Sequence, residues 1–362
     1  MELEKQDQVF RWGDITENDF GSCAELGGKT FSIDRNIMFE WFRKRLAHNP
    51  WQNESNSMGI GLWRDNTLMG YRAMSRQPWW MEGRQGGISF AAQTVMSTEL
   101  RGMGLGNELI RRSSMCGDFT GSTSAGVVSQ KIYSKLGFHA IGADNHFYRS
   151  RVSFAGTMSK RFGVVGKMLA PAMEKISGLS GKYVSDGLRF QQLERCDERF
   201  DELWLRARKG YRSCLVRSSA YLNWRIFDHP TCPLYISGIF EDDGRGPLRA
   251  FAVWHVQAFD KHVKMAALRD LFSEVDDDTA RKLLLATLFE TWRKMRISWA
   301  SLEVAHPSVT KLFDNMGFEQ VPSKGGRYHI SANKALDDGV KAEWFRSGLD
   351  GDYFDLSGSQ YV

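Results

Sequence analysis

The sequence predicts an α/β (α+β) chain of two tandem modules, each a mixed central sheet flanked by helices. Strand-like and helix-like patterns alternate along both halves. A β-prone run, Ile88 to Met96, leads into the glycine-rich Arg101-Gly102-Met103-Gly104-Leu105-Gly106 and then the helical Asn107-Glu108-Leu109-Ile110-Arg111-Arg112. The chain also repeats itself: Lys311-Leu312-Phe313-Asp314-Asn315-Met316-Gly317-Phe318 echoes Lys131-Ile132-Tyr133-Ser134-Lys135-Leu136-Gly137-Phe138, an offset of 311 − 131 = 180.

In the first half, residues 8–12 read as a strand and 15–26 as a helix capped by Asp14 and stopped by Gly27-Gly28. Ile37, Phe39, Trp41, Phe42 and Leu46 beside Arg43, Lys44 and Arg45 make 37–46 an amphipathic helix. Residues 58–63 and 68–74 read as a hairpin turning at Asp65-Asn66, and the strand before the glycine loop begins after Pro78-Trp79-Trp80. Ser129 to Leu136 is a helix ended by Gly137, and Phe138 to Tyr148 one strand carrying His139 and His146 as ordinary strand residues.

The second half follows the same order: strand 188–193, helices 198–207 and 219–227, strands 234–240, 248–256 and 263–272, helix 279–295, strand 298–304, helix 307–316 and strand 318–330. Expected divisions are a first module at 1–150, a basic connector at 151–185, a second module at 186–331 and a tail at 332–362 that packs Trp344 and Tyr353 on a module.

With 362 residues, 42% hydrophobic and 25% charged, the chain is long enough for about two ordinary globular cores. No apolar run approaches the ~20 residues of a spanning helix. The acidic start Met1-Glu2-Leu3-Glu4 is no signal peptide, so a cytoplasmic protein is expected. Five scattered cysteines without a C-x-x-C pair indicate neither disulfides nor zinc, and His255, His262 and His306 lack metal-ligand spacing. Residues 151–182 hold six basic residues against one acid, the whole of the chain's formal +5 excess. The balanced remainder argues against a nucleic-acid partner. The 151–182 stretch, with Phe162, Val164, Val165, Met168, Leu169 and Met173 interleaved, reads either as an interdomain helix or as a surface for an anionic membrane or acidic partner.

Glycines after a strand let the backbone approach a ligand, and unpaired amides at a helix start attract an anion. The spacing is neither G-x-G-x-x-G nor a nucleotide P-loop, and the turn alone is equally compatible with plain punctuation. Arg-x-x-Gly-x-Gly after a strand, followed by Ile132-Tyr133-x-x-Leu136-Gly137-Phe138, resembles the GNAT acetyltransferase superfamily over residues 8 to 150. The resemblance implies that acetyl-CoA, or another acyl-CoA, is a co-substrate. Its pyrophosphate would lie on the amides of Arg101, Gly102, Met103, Gly104, Leu105, Gly106 and Asn107, its pantetheine arm along the backbone of Val95 and Met96. It also implies that Tyr133 protonates the departing thiolate.

Two positions depart from the family pattern: Gly126 stands where many relatives place a pantetheine-binding asparagine, and no carboxylate lies between Ile88 and Met96 to serve as a base. Gln93 could orient a water but cannot itself take a proton; Glu99 sits at the loop's rim. The repeat carries Arg101, Gly104 and Gly106 onto Arg281, Leu284 and Ala286, and Tyr133 onto Phe313, so the second copy is expected to be degenerate. Asp270 and Glu303 could then line an acceptor cleft, or pair with arginines. Helix Tyr221-Leu222-Asn223-Trp224-Arg225 followed by Asp228-His229-Pro230 is similar to uncharacterised tandem GNAT proteins of bacterial surface-polysaccharide gene clusters.

The expected activity is direct acyl transfer to an amine of a small-molecule acceptor or amino sugar, because Cys116 has no evident His partner for a covalent route. The alternative is a non-catalytic acyl-CoA-binding scaffold or sensor.

Overall fold

The computed structural model of the protein describes residues 10–52, 57–117, 119–123, 125–141, 147–176, 187–228, 232–258, 262–321, 328–332 and 336–351. His146, His229, Pro230 and Tyr353 lie outside them.

Fifteen strands and nine α-helices precede a short tail in the described chain. The first half runs β1 (Phe10–Asp14), α1 (Phe20–Phe31), α2 (Arg35–Phe42), β2 (Gly59–Arg64), β3 (Thr67–Met81), β4 (Arg84–Met96), α3 (Leu105–Ser113), β5 (Phe119–Ser122), α4 (Val127–Lys135) and β6 (His139–Ile141). Then come β7 (Phe147–Arg151) and α5 (Ala155–Ile176). The second half runs β8 (Arg189–Leu193), α6 (Glu198–Ala207), β9 (Ser213–Leu215), α7 (Ser219–Leu222), β10 (Tyr235–Phe240), β11 (Leu248–Ala258), β12 (Lys264–Ser273), α8 (Asp278–Lys294), β13 (Trp299–Ala305), α9 (Pro307–Asn315), β14 (Glu319–Val321) and β15 (Tyr328–Ala332). The tail adds α10 (Asp338–Ala342) and β16 (Arg346–Ser347).

These strands form two mixed sheets in the same order, β1-β2-β3-β4-β5-β15-β6 and β8-β10-β11-β12-β13-β7-β14. Each half therefore completes the other's sheet. The strand expected over 138–148 is two strands in different sheets: β6 edges the first, while β7 inserts between β13 and β14 of the second. Reciprocally, β15 inserts between β5 and β6. β9 adds a further tie, pairing with the far end of β3 at Trp79–Met81.

Aromatic packing closes the seam. Trp79 stacks on Trp344 at 4.8 Å, and Trp51 meets both Tyr221 and Trp224 at 5.5 Å. Helices α2 and α7 each widen into a π-turn, at Arg43–Ala47 and Asn223–Phe227, positions related by the same offset of 180 (223 − 43). The wider turn brings a buried arginine to the seam from each side. Arg45 lies 4.5 Å over the Trp224 ring, and Arg225 donates to the carbonyl of Leu349 at 3.0 Å.

Helix α1 starts later and ends later than its glycines suggest. Thr16 and Asp19 form a reciprocal capping box on a preceding short turn, and the helix continues through Gly27-Gly28 until Ser32 takes a left-handed φ of 56°. Those glycines are spacers rather than stops: a Cβ on Gly27 would collide with the Tyr71 hydroxyl, and one on Gly28 would come within 2.8 Å of the Ile33 carbonyl. β3 likewise continues through Pro78-Trp79-Trp80, and its hairpin with β4 turns at Glu82-Gly83, both with positive φ.

Candidate active site

β4 carries a bulge. Gln93 faces Ala73 and Ala91 faces Met74, leaving Ala92 as the extra residue. On its other edge β4 pairs in parallel with β5 only at Ser89–Thr120 and Phe90–Gly121. The two strands thus part at the bulge, and from Ala91 to Met96 that edge of β4 has no strand partner among the described residues. Unpaired backbone amides and carbonyls along a splayed edge can hydrogen-bond an extended, amide-bearing ligand arm.

The splay opens toward the glycine loop. Leu100, buried with Leu62 and Met69, pins the loop to the sheet. Gly102 and Gly104 have φ of 85° and 77°, where a side chain would be strained. Gly106 has no such backbone requirement, and a Cβ there would meet nothing within 4 Å. A helical glycine costs about 1 kcal/mol relative to alanine, so its value lies in leaving that space open. No side chain caps α3; the Asn107 amide donates to the Gly104 carbonyl at 3.0 Å, and the amides of Leu105 and Gly106 are left to an external acceptor. Glu108, an acid in this turn, is neutralised by Arg111 and Arg112 at 2.6 and 2.7 Å, hydrogen bonds that hold its carboxyl at about 2. Arg101 and Met103 are exposed on the loop.

Tyr133 comes to the splay from α4. Its ring packs on Phe138 at 4.8 Å, and its phenol oxygen accepts a hydrogen bond from Arg72 Nη1 at 2.9 Å. The same nitrogen donates to Thr94 Oγ1 at 3.0 Å, tying the tyrosine to the open stretch of β4. No motif marks Arg72, although an arginine within the apolar run Leu68 to Met74 is itself a signal, since a buried charge needs a partner.

Gln93 and Tyr133 are on opposite faces of the sheet. Tyr71 and Arg72 are neighbours on β3 and so point oppositely; Tyr71 donates to Gln93 Oε1 at 2.7 Å, while the Gln93 amide lies 3.1 Å from Met38 Sδ. Both ends of that amide are engaged beneath α1 and α2. Val95 is buried on that face too, and Met96 is partly buried beside the loop anchor. Glu99 is ion-paired with Arg64 at 3.0 Å.

Asp270 stands in the other sheet and is fully buried. Arg217 donates to it at 2.9 Å and to Asp350 at 2.7 Å, and the Leu271 amide takes its second oxygen at 3.0 Å. Burial, partly offset by Arg217 and reinforced by the charge of Asp350, pushes its carboxyl up to about 6. Enclosed in this way and paired with Arg217, it holds the seam together. Glu303 pairs with Arg269 at 2.7 Å.

The second sheet also parts, after Leu268–Leu302, but its opening is filled. β16 pairs with Val304 and Ala305 of β13, and a Cβ on Gly348 would press against Glu303 and Arg269. α8 begins at Asp278, capped by Asp277, so Arg281, Leu284 and Ala286 lie inside a helix rather than a loop. The buried Arg281 guanidinium is spent on the Val275 carbonyl at 2.6 Å and Asp278 at 2.7 Å. Phe313 is core, packed at a tilt against Phe318 with ring centroids 5.3 Å apart.

Two cavities border the first opening. A groove of 630 Å³ runs between α1 at Glu25 and Lys29 and the segment Met96 to Arg101. A smaller one of 190 Å³ is lined by Asp14, Gln52, Met74, Arg76, Ser89 and Cys116 among others. Direct pairing of Asp14 with Ile60, and of Ile60 with Arg72, puts Asp14 on the Tyr133 face. Desolvation and the charge of Asp14 push the Cys116 thiol up, away from the thiolate a nucleophile requires.

No protein-family profile and no curated protein matches the sequence. Solved structures do match the fold. A GCN5-related N-acetyltransferase from Anabaena variabilis superposes with a TM-score of 0.62 at 12% identity, covering 90% of this chain and 73% of that one. A probable N-acyltransferase from Enterococcus faecalis gives 0.61 at 11% identity, with the same coverages of 90% and 73%. N-myristoyltransferase from Saccharomyces cerevisiae, with bound myristoyl-CoA, gives 0.55 at 14% identity over 96% of this chain and 90% of its own. The architecture is therefore the GNAT fold, present in both sheets of the chain.

Proposed function

We propose that the protein moves an acetyl or other acyl group from acyl-CoA directly to an amine of a small molecule or amino sugar, with chemistry confined to the first sheet. The observation that carries this reading is the continuity of an uncapped α3 start, open space over Gly106 and an unpaired β4 edge leading to Tyr133. The neighbours with N-acyltransferase names, one holding myristoyl-CoA, support an acyl-CoA donor.

In this reading the pyrophosphate rests on the loop and α3 amides, and the pantetheine arm adds along β4 toward the bulge. The acceptor amine approaches from the 190 Å³ cavity, which begins at Met74, opposite Ala91 beside the bulge. Asp14 is the acid of that cavity and the group assigned to receive the amine's proton, directly or through water. Nitrogen attacks the thioester carbonyl, a β4 amide stabilises the oxyanion, and the carbon–sulfur bond breaks as Tyr133 gives its proton to the thiolate. Arg72, donating to the phenol oxygen, steadies the negative charge left there.

The test is release of free thiol from acetyl-CoA and longer acyl-CoAs in the presence of a panel of amines and amino sugars. Acceptor-dependent release supports the reading. Binding of every donor with no release under any acceptor would favour the scaffold reading instead.

A further inference from the structure

We infer that the elbow of α5 is a docking surface for a lipid bilayer with anionic headgroups. The inference stands apart from the acyl-transfer reading and uses none of its residues.

Among the described residues, helix α5 is fastened by its first turns. Gly156 is buried so closely that a Cβ would strike the His262 carbonyl, Ser159 is buried, and Arg151 donates to Thr157 Oγ1 at 2.9 Å. Beyond that anchor every residue from Lys160 to Val165 is exposed. At Gly163 the backbone leaves helical geometry, with φ 57° and ψ −133°. The chain then turns back so tightly that a Cβ on the buried Gly166 would strike the Met158 carbonyl. The outcome is a projecting elbow rather than a helix lying on the sheets.

What the elbow presents is unusual for a water-facing surface. Val164 is 73% exposed, Met168 77% and Val165 62%, with Phe162 and Leu169 half exposed. Five large apolar side chains within eight residues form the kind of patch that marks an interaction site. Lys160 and Arg161 are exposed at its edge, and 151–182 carries the chain's entire formal excess of positive charge.

That charge selects the partner. A second copy docking elbow to elbow would bring Lys160 and Arg161 against their own counterparts. An anionic bilayer supplies both what the apolar tip needs and what the basic rim needs: an acyl boundary for the former and phosphate headgroups for the latter. Among the described residues no helix is long and apolar enough to cross a membrane, so attachment of this kind is peripheral.

The experiment is flotation of the full chain with vesicles of phosphatidylcholine alone and of phosphatidylcholine mixed with phosphatidylglycerol. The protein should float with the mixed vesicles and not the neutral ones, and raised salt should weaken the association. The double variant Val164→Ser/Met168→Ser, which keeps the charge, should lose flotation with an unchanged melting temperature. Each basic residue removed in Lys160→Gln and Arg161→Gln should weaken partitioning about fivefold. Absence from the mixed vesicles, or flotation indifferent to both sets of substitutions, overturns the inference. A dimer of the wild type that the serine variant converts to monomer overturns it in favour of a second copy.

Discussion

The guanidinium of Arg72 stands 2.9 Å from the phenol oxygen of Tyr133, on the sheet face opposite Gln93 and beside the edge where β4 has parted from β5. Because that oxygen accepts from Arg72, its own proton is directed elsewhere, and the tyrosine is positioned by a charge that stabilises it once the proton has gone. Tyr133→Phe should therefore lower kcat by about 100-fold or more, the scale of a lost general acid, with acyl-CoA affinity nearly unchanged. Arg72→Met should lower kcat as well, because the tyrosine then loses its tether to Thr94. Steady-state rates beside binding titrations separate the two effects; weakened binding with unchanged kcat in Tyr133→Phe would assign the residue to packing.

Asp14 should behave differently. Asp14→Asn should cut kcat/KM for the acceptor, while Gln93→Leu, on the opposite face, should leave it nearly unchanged. Undiminished kcat/KM in Asp14→Asn would reassign the base.

The seam makes a pH prediction. Asp270 is raised to about 6 in the folded chain against about 3.9 unfolded, so between those values the native state holds more proton than the unfolded one. Its contribution to stability is fully present below about 4 and is lost as pH rises through 6. His306, buried and lowered to about 4, works in the opposite sense and is common to wild type and variant. Subtracting Asp270→Asn from wild type should isolate a slope of up to about −1.4 kcal/mol per pH unit between pH 4 and 6, measured by urea unfolding. Arg217→Met, which strands two buried carboxylates, should cost about 3–5 kcal/mol at pH 7.

Strand exchange predicts that neither half folds alone. A fragment of residues 1–185 lacks β15, leaving β5 and β6 without the strand that joins them. It should show no cooperative unfolding, and coexpression with 186–362 should restore it. A cooperative transition in the isolated fragment would contradict the interdependence.

Much of this fold is readable from side-chain pattern because the pattern is local. The strand–glycine–helix order and the paired Leu136-Gly137-Phe138 and Met316-Gly317-Phe318 helix ends need only neighbouring residues to declare themselves. The exchange of β7 and β15 is not local. Residues 147–151 are equally suited to either sheet, and nothing in their sequence names the partner strand. Gly27-Gly28 misleads for a related reason, since a glycine at a helix end and one where a tyrosine hydroxyl presses on the helix look alike in one dimension. At the site, the loop was legible as a backbone requirement. Arg72, Asp14 and the burial of Gln93 depended on which face of a bulged strand each residue takes, and the bulge at Ala92 is invisible until its partners are known.

Gly106 gives the central claim its most direct test. The space above it is open and its backbone is helical, so Gly106→Leu should hold or raise the melting temperature while filling the place of the pyrophosphate. Calorimetric titration with CoA should show one site per wild-type chain and none in Gly106→Leu. No binding by the wild type, or undiminished binding by the folded variant, would contradict the account.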